Sequence, residues 1–238
     1  GSLTWNQTVV WRNTKTLWEH VIAVAPDSSI AHFNLGRFYE LQSDFEKAID
    51  YYQRAVSINP TLADAHYDLA RLLARRGLHG AAIVHYRVTL RFKPEAVDAY
   101  NNLGLSLASI GDIPASIAQF QKAVKLNPRY AKGFFNLGRV AAQQGDFETA
   151  IRNFHTALRV SPDEADIHFK LGEVLARQGQ QEQAVVHFLT AIKLQPEFAD
   201  AHVALAKSLA TLGKKDEAEE HYREGLRLLK TRTGDSLH

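Results

Sequence analysis

Apolar residues recur along this chain on two interlocking periods, one of helical spacing and one of 34 residues. In one representative stretch Tyr100, Leu103, Gly104, Leu107 and Ala108 fall at i, i+3, i+4, i+7 and i+8, which is a single apolar stripe on a helix. Ile117, Phe120 and Val124 form a second stripe. Gly111-Asp112 lies between them: glycine accepts the left-handed conformation that closes a helix, and aspartate accepts a hydrogen bond from the free amides of the next. Pro128 then ends the second helix, because it has no amide proton and disfavours helical geometry in the residue before it. The pattern predicts a helical hairpin.

The long period multiplies this hairpin. At an offset of 34 the chain aligns Gly36, Ala70, Gly104, Gly138, Gly172 and Ala206, each after a leucine. It also aligns Pro26, Pro60, Pro94, Pro128, Pro162 and Pro196, and an aromatic column of Trp18, Tyr52, Tyr86, Phe120, Phe154, Phe188 and Tyr222. Ala48, Ala82, Ser116, Ala150, Ala184 and Ala218 make a small-residue column. Gly77, Gly145, Gly179 and Gly213 repeat the stop, and Asp44 and Asp146 repeat the cap. Small residues let the two helices approach while the aromatics fill the space to the next hairpin. No hairpin buries its stripe alone, so stability is a sum over neighbours.

Leucine followed by glycine or alanine in the first helix, small-x3-aromatic in the second and proline at the end resemble the tetratricopeptide repeat family, from Asn13 to about Leu229. The resemblance implies an all-α, right-handed superhelical solenoid of helix-turn-helix hairpins, with a concave groove lined mainly by first helices. The expected organisation is a stub at 1–10, a half repeat at 11–28, repeats at 29–62, 63–96, 97–130, 131–164, 165–198 and 199–232, and a disordered tail at 233–238. Periodicity already fades from Lys230.

The ends differ from the middle. Trp11, Thr14, Trp18, Val21, Ile22 and Pro26 fit the second-helix columns, so the chain opens on half a hairpin. The stretch from Trp11 through His20 to Asn34-Leu35-Gly36 resembles the junction in multi-pass membrane proteins with tetratricopeptide tails, among them the transmembrane O-mannosyltransferases and their bacterial relatives. That resemblance implies repeats on the extracytoplasmic side of a membrane; without it, a cytoplasmic site is expected. Lys214, Lys215, Glu217, Glu219 and Glu220 charge the last helix, as a capping helix facing water requires.

Composition narrows the function classes. With 28 Lys and Arg against 26 Asp and Glu, the net charge of +2 provides no strong attraction to nucleic acid or anionic membrane. No apolar run is long enough to span a bilayer, so direct membrane insertion is not expected. Cysteine is absent, which removes disulfides, thiolate metal sites and a cysteine nucleophile. Methionine is absent too, and Gly1-Ser2 reads as an expression scar on a fragment of something longer.

No nucleotide-binding, zinc-protease or nucleophile-elbow motif is present, and equal positions of successive repeats lie on the order of 10 Å apart, too far for catalytic groups to converge. No catalytic residue, metal or cofactor is therefore assigned. His32, His66, His168 and His202 share a column but sit one repeat apart, whereas ligands must lie within about 2 Å of one ion. They read as replacements for the usual aromatic in helix packing. Asp64, Asp98, Asp166 and Asp200 open first helices, where the helix dipole favours a negative charge.

Function is then sought in the groove columns that the resemblance directs inward. The fifth position of the repeat holds Phe33, Tyr67, Asn101, Phe135, Phe169 and Val203, too apolar for a solvated face. The sixth holds Asn34, Asp68, Asn102 and Asn136, then lapses to Lys170 and Ala204. An amide donates and accepts at once, so this column can grip a peptide backbone. It resembles the asparagine ladder of O-linked N-acetylglucosamine transferases. The ninth holds Arg37, Arg71, Arg139 and Lys207, and Arg75 and Arg177 stand at the thirteenth, interrupted by Glu40 and Glu173. The fifth-position lysine with which some tetratricopeptide cochaperones clamp a chaperone's C-terminal carboxylate is missing, so that function is not expected. The leading expectation is a non-catalytic scaffold that binds a protein or peptide segment in this groove. One alternative is a substrate-presenting region of a membrane glycosyltransferase-like protein. The other is self-association through the ends, with Val9, Val10 and Trp11 at one and Leu226, Leu228 and Leu229 at the other.

Overall fold

A computed structural model describes residues 15–234. Every regular element among them is a helix: residues 15–24 (α1), Ser29–Leu41 (α2), Phe45–Ile58 (α3), Ala63–Arg75 (α4), His79–Phe92 (α5), Val97–Ser109 (α6), Ile113–Leu126 (α7), Ala131–Gln143 (α8), Phe147–Val160 (α9), Ala165–Arg177 (α10), Gln181–Leu194 (α11), Ala199–Thr211 (α12) and Lys215–Gly234 (α13). First helices have 13 residues and the second helices from α3 to α11 have 14, so the 34-residue period is spent on two short rods and two tight connections.

The punctuation works as its chemistry dictates. Gly77, Gly111, Gly145, Gly179 and Gly213 all take φ between 78 and 85°. In the first hairpin Ser43 occupies this place and is forced to φ 60°. Asp44, Asp112 and Asp146 accept hydrogen bonds from the amides three residues on, at 3.3, 3.2 and 3.0 Å. These bonds satisfy amides that otherwise have no partner in the first turn.

Two compact units share the chain, one up to Lys122 and one from Ala123. In the first, α2 packs on α3 and α4 on α5, with α3 against α4 and α5 against α6. Its core holds Tyr52, Leu69, Leu72, Tyr86 and Leu103. In the second, the pairs α8–α9, α10–α11 and α12–α13 stack in order around Phe154, Leu171, Val174, Phe188 and Leu205.

The glycine and aromatic columns meet as one device. A Cβ on Gly138 would lie 2.6 Å from the Phe154 ring, and one on Gly36 2.5 Å from Tyr52. The missing side chain lets the rings of Tyr52, Phe120, Phe154 and Phe188 lie against the first helix's backbone, fully buried, and Tyr86 is buried equally opposite the small side chain of Ala70. Tyr222, at the same place on α13, is exposed. All six residues of the small column are buried, and Ser116 keeps a hydroxyl oxygen without a hydrogen-bond partner where the other five have alanine.

Two expectations about the ends change. Loss of periodicity after Lys230 predicts irregular chain, but α13 continues to Gly234, its ladder supplemented by Thr231 Oγ1 donating to the Leu228 carbonyl at 2.8 Å. Residues 235–238 lie outside the described residues, as do the stub and the start of the half repeat with Val9, Val10 and Trp11. Of the three leucines set aside for end-to-end stacking, Leu228 is buried within its own chain while Leu226 is exposed. No described helix is long and apolar enough to cross a membrane.

Candidate partner-binding groove

The fifth-position aromatics of the first helices each lean on the core ring of their own hairpin. Phe33 lies 5.8 Å from Tyr52, Tyr67 6.0 Å from Tyr86, Phe135 5.9 Å from Phe154 and Phe169 5.9 Å from Phe188, all tilted. Phe33, Tyr67 and Phe135 remain half-buried, and Phe33 and Tyr67 line a hollow of the first unit. Phe169 is 7% exposed because Phe198 covers it at 4.8 Å. Cations lie over these rings: Arg37 over Phe33 at 5.9 Å, Arg139 over Phe135 at 5.7 Å and Lys170 over Phe169 at 4.9 Å.

The asparagine column is tied into the scaffold more than its sequence implies. Asn34 Nδ2 donates to the Ile30 carbonyl of its own helix at 2.8 Å, leaving Oδ1 as an acceptor. Asn102 Nδ2 donates to the Tyr67 hydroxyl at 3.2 Å and its Oδ1 accepts from Asn101 at 3.3 Å, which links α4 to α6. Asn101 and Asn136 are buried, and Asn136 accepts from Arg139 at 3.4 Å.

Electrostatics divides the groove by unit. In the first unit a hollow of about 490 Å³ is lined by Phe33, Arg37, Glu40, Asp64, Tyr67, Asp68 and Arg71, among others. Arg71 is committed to Glu40 of the preceding repeat and reaches Asp68 at 3.4 Å, while Glu40 also accepts from the Tyr52 hydroxyl at 2.9 Å. Burial holds the Asp68 carboxyl above the usual carboxylate range, with Arg71 opposing. Asp64 pairs with Lys93 at 2.6 Å. The second unit has two overlapping hollows that share Lys170, Glu173 and Arg177.

The histidine column makes a hydrogen-bond pattern that the repeat period conceals. His32, His66, His168 and His202 place Nε2 at 2.9, 3.1, 3.0 and 3.2 Å from the carbonyls of Pro26, Pro60, Pro162 and Pro196. A carbonyl only accepts, so Nε2 carries the proton and Nδ1 is left with a lone pair. In three hairpins that Nδ1 meets a second histidine 19 residues on: His66 with His85 at 2.8 Å, His168 with His187 at 3.0 Å and His202 with His221 at 3.1 Å. The partner must then donate from its own Nδ1. Burial, then the neighbouring imidazole, lowers His85 and pushes His187 down to about 4. The signal lay in the sequence as a histidine offset of 19, between the helices of one hairpin rather than between repeats. Among the described residues no three His, Asp or Glu side chains gather as a metal site requires.

Residues 14–236 match the family model of the cilia and flagella-associated protein 70 C-terminal domain, a tetratricopeptide-repeat domain. The chain belongs to this family. No curated protein matches it. Among solved structures it resembles a chain of the APC/C hetero-tetramer Cut9-Hcn1, with TM-score 0.74 and 21% identity over 92% of this chain and 43% of that one. The chain thus spans less than half the length of that relative. PilF of Pseudomonas aeruginosa is similar with TM-score 0.71 and 20% identity, over 87% of this chain and 97% of PilF. YrrB, described as a tetratricopeptide protein with an unusual peptide-binding site, gives TM-score 0.64 and 22% identity, over 77% and 95%. The fold is therefore the all-α tetratricopeptide solenoid, in general a non-catalytic scaffold for protein interaction.

Proposed function

We propose that this chain is a non-catalytic scaffold that takes a peptide segment along the inner face of its first helices. The observation that carries this reading is the half-buried rings of Phe33 and Tyr67, which line the hollow of the first unit, each braced from behind by a core aromatic; in the second unit Phe135 is half-buried and braced likewise. A braced ring loses little freedom when a ligand covers it, so its apolar area counts toward affinity. The carbonyl oxygen of Asn34 supplies an acceptor for a backbone amide, and Arg37 and Arg139 border the rings with mobile charge.

The test is an amide chemical-shift map of the labelled protein titrated with short extended peptides of differing charge. Shifts concentrated on α2, α4, α8 and α10 around these rings support the reading; shifts confined to second helices, or no binding by any peptide, overturn it. Asn34→Ala combined with Asn102→Ala should weaken a bound peptide by roughly three- to tenfold, from the loss of one accepting group and of the Tyr67 tether.

A further inference from the structure

The hollows of the two units differ in electrical balance, the first nearly even and the second carrying an excess of cations. In the first, the lining holds Arg37 and Arg71 against Glu40, Asp64 and Asp68, and Arg71 is consumed by two of those carboxylates. In the second, the overlapping hollows of about 450 and 230 Å³ carry Arg139, Lys170, Arg177 and Lys207 against Glu173 and Asp200. Lys170 is neutralised by Glu173 at 2.7 Å. Arg139 donates to the amide oxygen of Asn136 at 3.4 Å and lies over the Phe135 ring, and among the described residues it forms no ion pair. Among the described residues, neither Arg177 nor Lys207 forms an ion pair, and both are exposed. Three cations thus face the hollow with one carboxylate, Asp200, to oppose them.

We infer that the second unit binds an acidic, extended peptide, its carboxylates meeting Arg139, Arg177 and Lys207 and its alternate apolar side chains meeting Val203, Ala204 and the alanines between. This rests on the groove reading above and adds the charge of the ligand and the unit that selects it. A guanidinium with no carboxylate beside it offers an incoming carboxylate two parallel donors and an unopposed charge, whereas the charge of Arg71 is already offset by Glu40 and Asp68. An extended chain alternates its side chains between faces, so acidic and apolar residues in alternation match a floor of small apolar residues edged by cations.

The experiment is fluorescence anisotropy of the whole chain with a labelled peptide that alternates Glu and Leu, its termini blocked, beside the same peptide with Lys for Glu. The acidic peptide should bind at least tenfold more tightly, and added salt should weaken it. R177A with K207A should reduce its affinity by about five- to tenfold. The matched charge loss R87A with K122A, on exposed positions of second helices, should leave it unchanged. Circular dichroism melts of each variant establish that the fold is kept. Equal binding of both peptides, or an affinity indifferent to R177A with K207A, overturns the inference while leaving the groove reading standing. Failure of both peptides to bind counts against the groove reading itself. Equal weakening by the two double variants would show attraction by net charge and no site, which also overturns the inference.

Discussion

At the scale of single residues, each column of the repeat has one physical task, and the exceptions show what the task costs. Ser43 is the plainest. Five hairpins close on a glycine with positive φ, and the first closes on a serine held at φ 60°. A side chain in that region costs about 1 kcal/mol, because Cβ crowds the following carbonyl. Ser43→Gly is expected to raise the melting temperature by about 2–4 °C in a thermal scan; a fall would show that the serine has a compensating role. Ser116 is a second exception, a buried hydroxyl with no partner in a column otherwise filled by alanine.

At the scale of helices, what joins the two rods of a hairpin differs from one repeat to the next at a single pair of positions. Three hairpins use a histidine pair. The first uses His32 beside Tyr51, and the fourth has Phe134 and Asn153 in the same columns. Burial, then the neighbouring imidazoles, push His187 down to about 4 against an ordinary value of 6.5. His66, His85 and His221 are lowered too, His221 against the opposing pull of Glu217 and Glu220. Because the folded values lie below the unfolded ones, the unfolded chain takes up protons first as pH falls. Stability is therefore complete above about pH 6.5 and declines between there and about pH 4, before most carboxylates titrate. A proton added to the accepting Nδ1 of a pair would set two N–H groups against each other. Melting temperatures across this window should fall, and H168F with H187N, which copies the fourth hairpin, should flatten part of the decline. An unchanged slope in that variant would refute the assignment.

At the scale of the molecule, stability is a sum over neighbouring hairpins, so an element with packed neighbours on both sides outlasts one at an end. Helices α4 and α5 are flanked by α3 and α6 within the first unit, and α10 and α11 by α9 and α12 within the second. Helix α13 packs on α12, and Tyr222 and Leu226 on it are exposed. Hydrogen exchange followed by mass spectrometry should find the slowest amides in α4, α5, α10 and α11 and the fastest in α1 and beyond Leu228. Protection as high at the ends as in these four helices would contradict additive stacking.

The sequence by itself determined the helices, their stops and caps, and the core. Those depend on local rules: spacing of three and four along a helix, a glycine that can turn left-handed, an aspartate near free amides, a proline without one. All of these are written at short range and repeated at 34. Only the tertiary structure decided which groove side chains remain free. Arg71 and Arg177 look alike as basic residues of the inner face, yet Glu40, 31 residues away, claims the first, while among the described residues no carboxylate pairs with the second. Asn136 reads as a ladder residue, yet it is buried and engaged by Arg139. The histidine pairs were hidden for the same reason. Whether two polar groups meet is set by the distance between helix axes and the rotamers that packing allows, and neither is encoded in the period that makes the fold so legible.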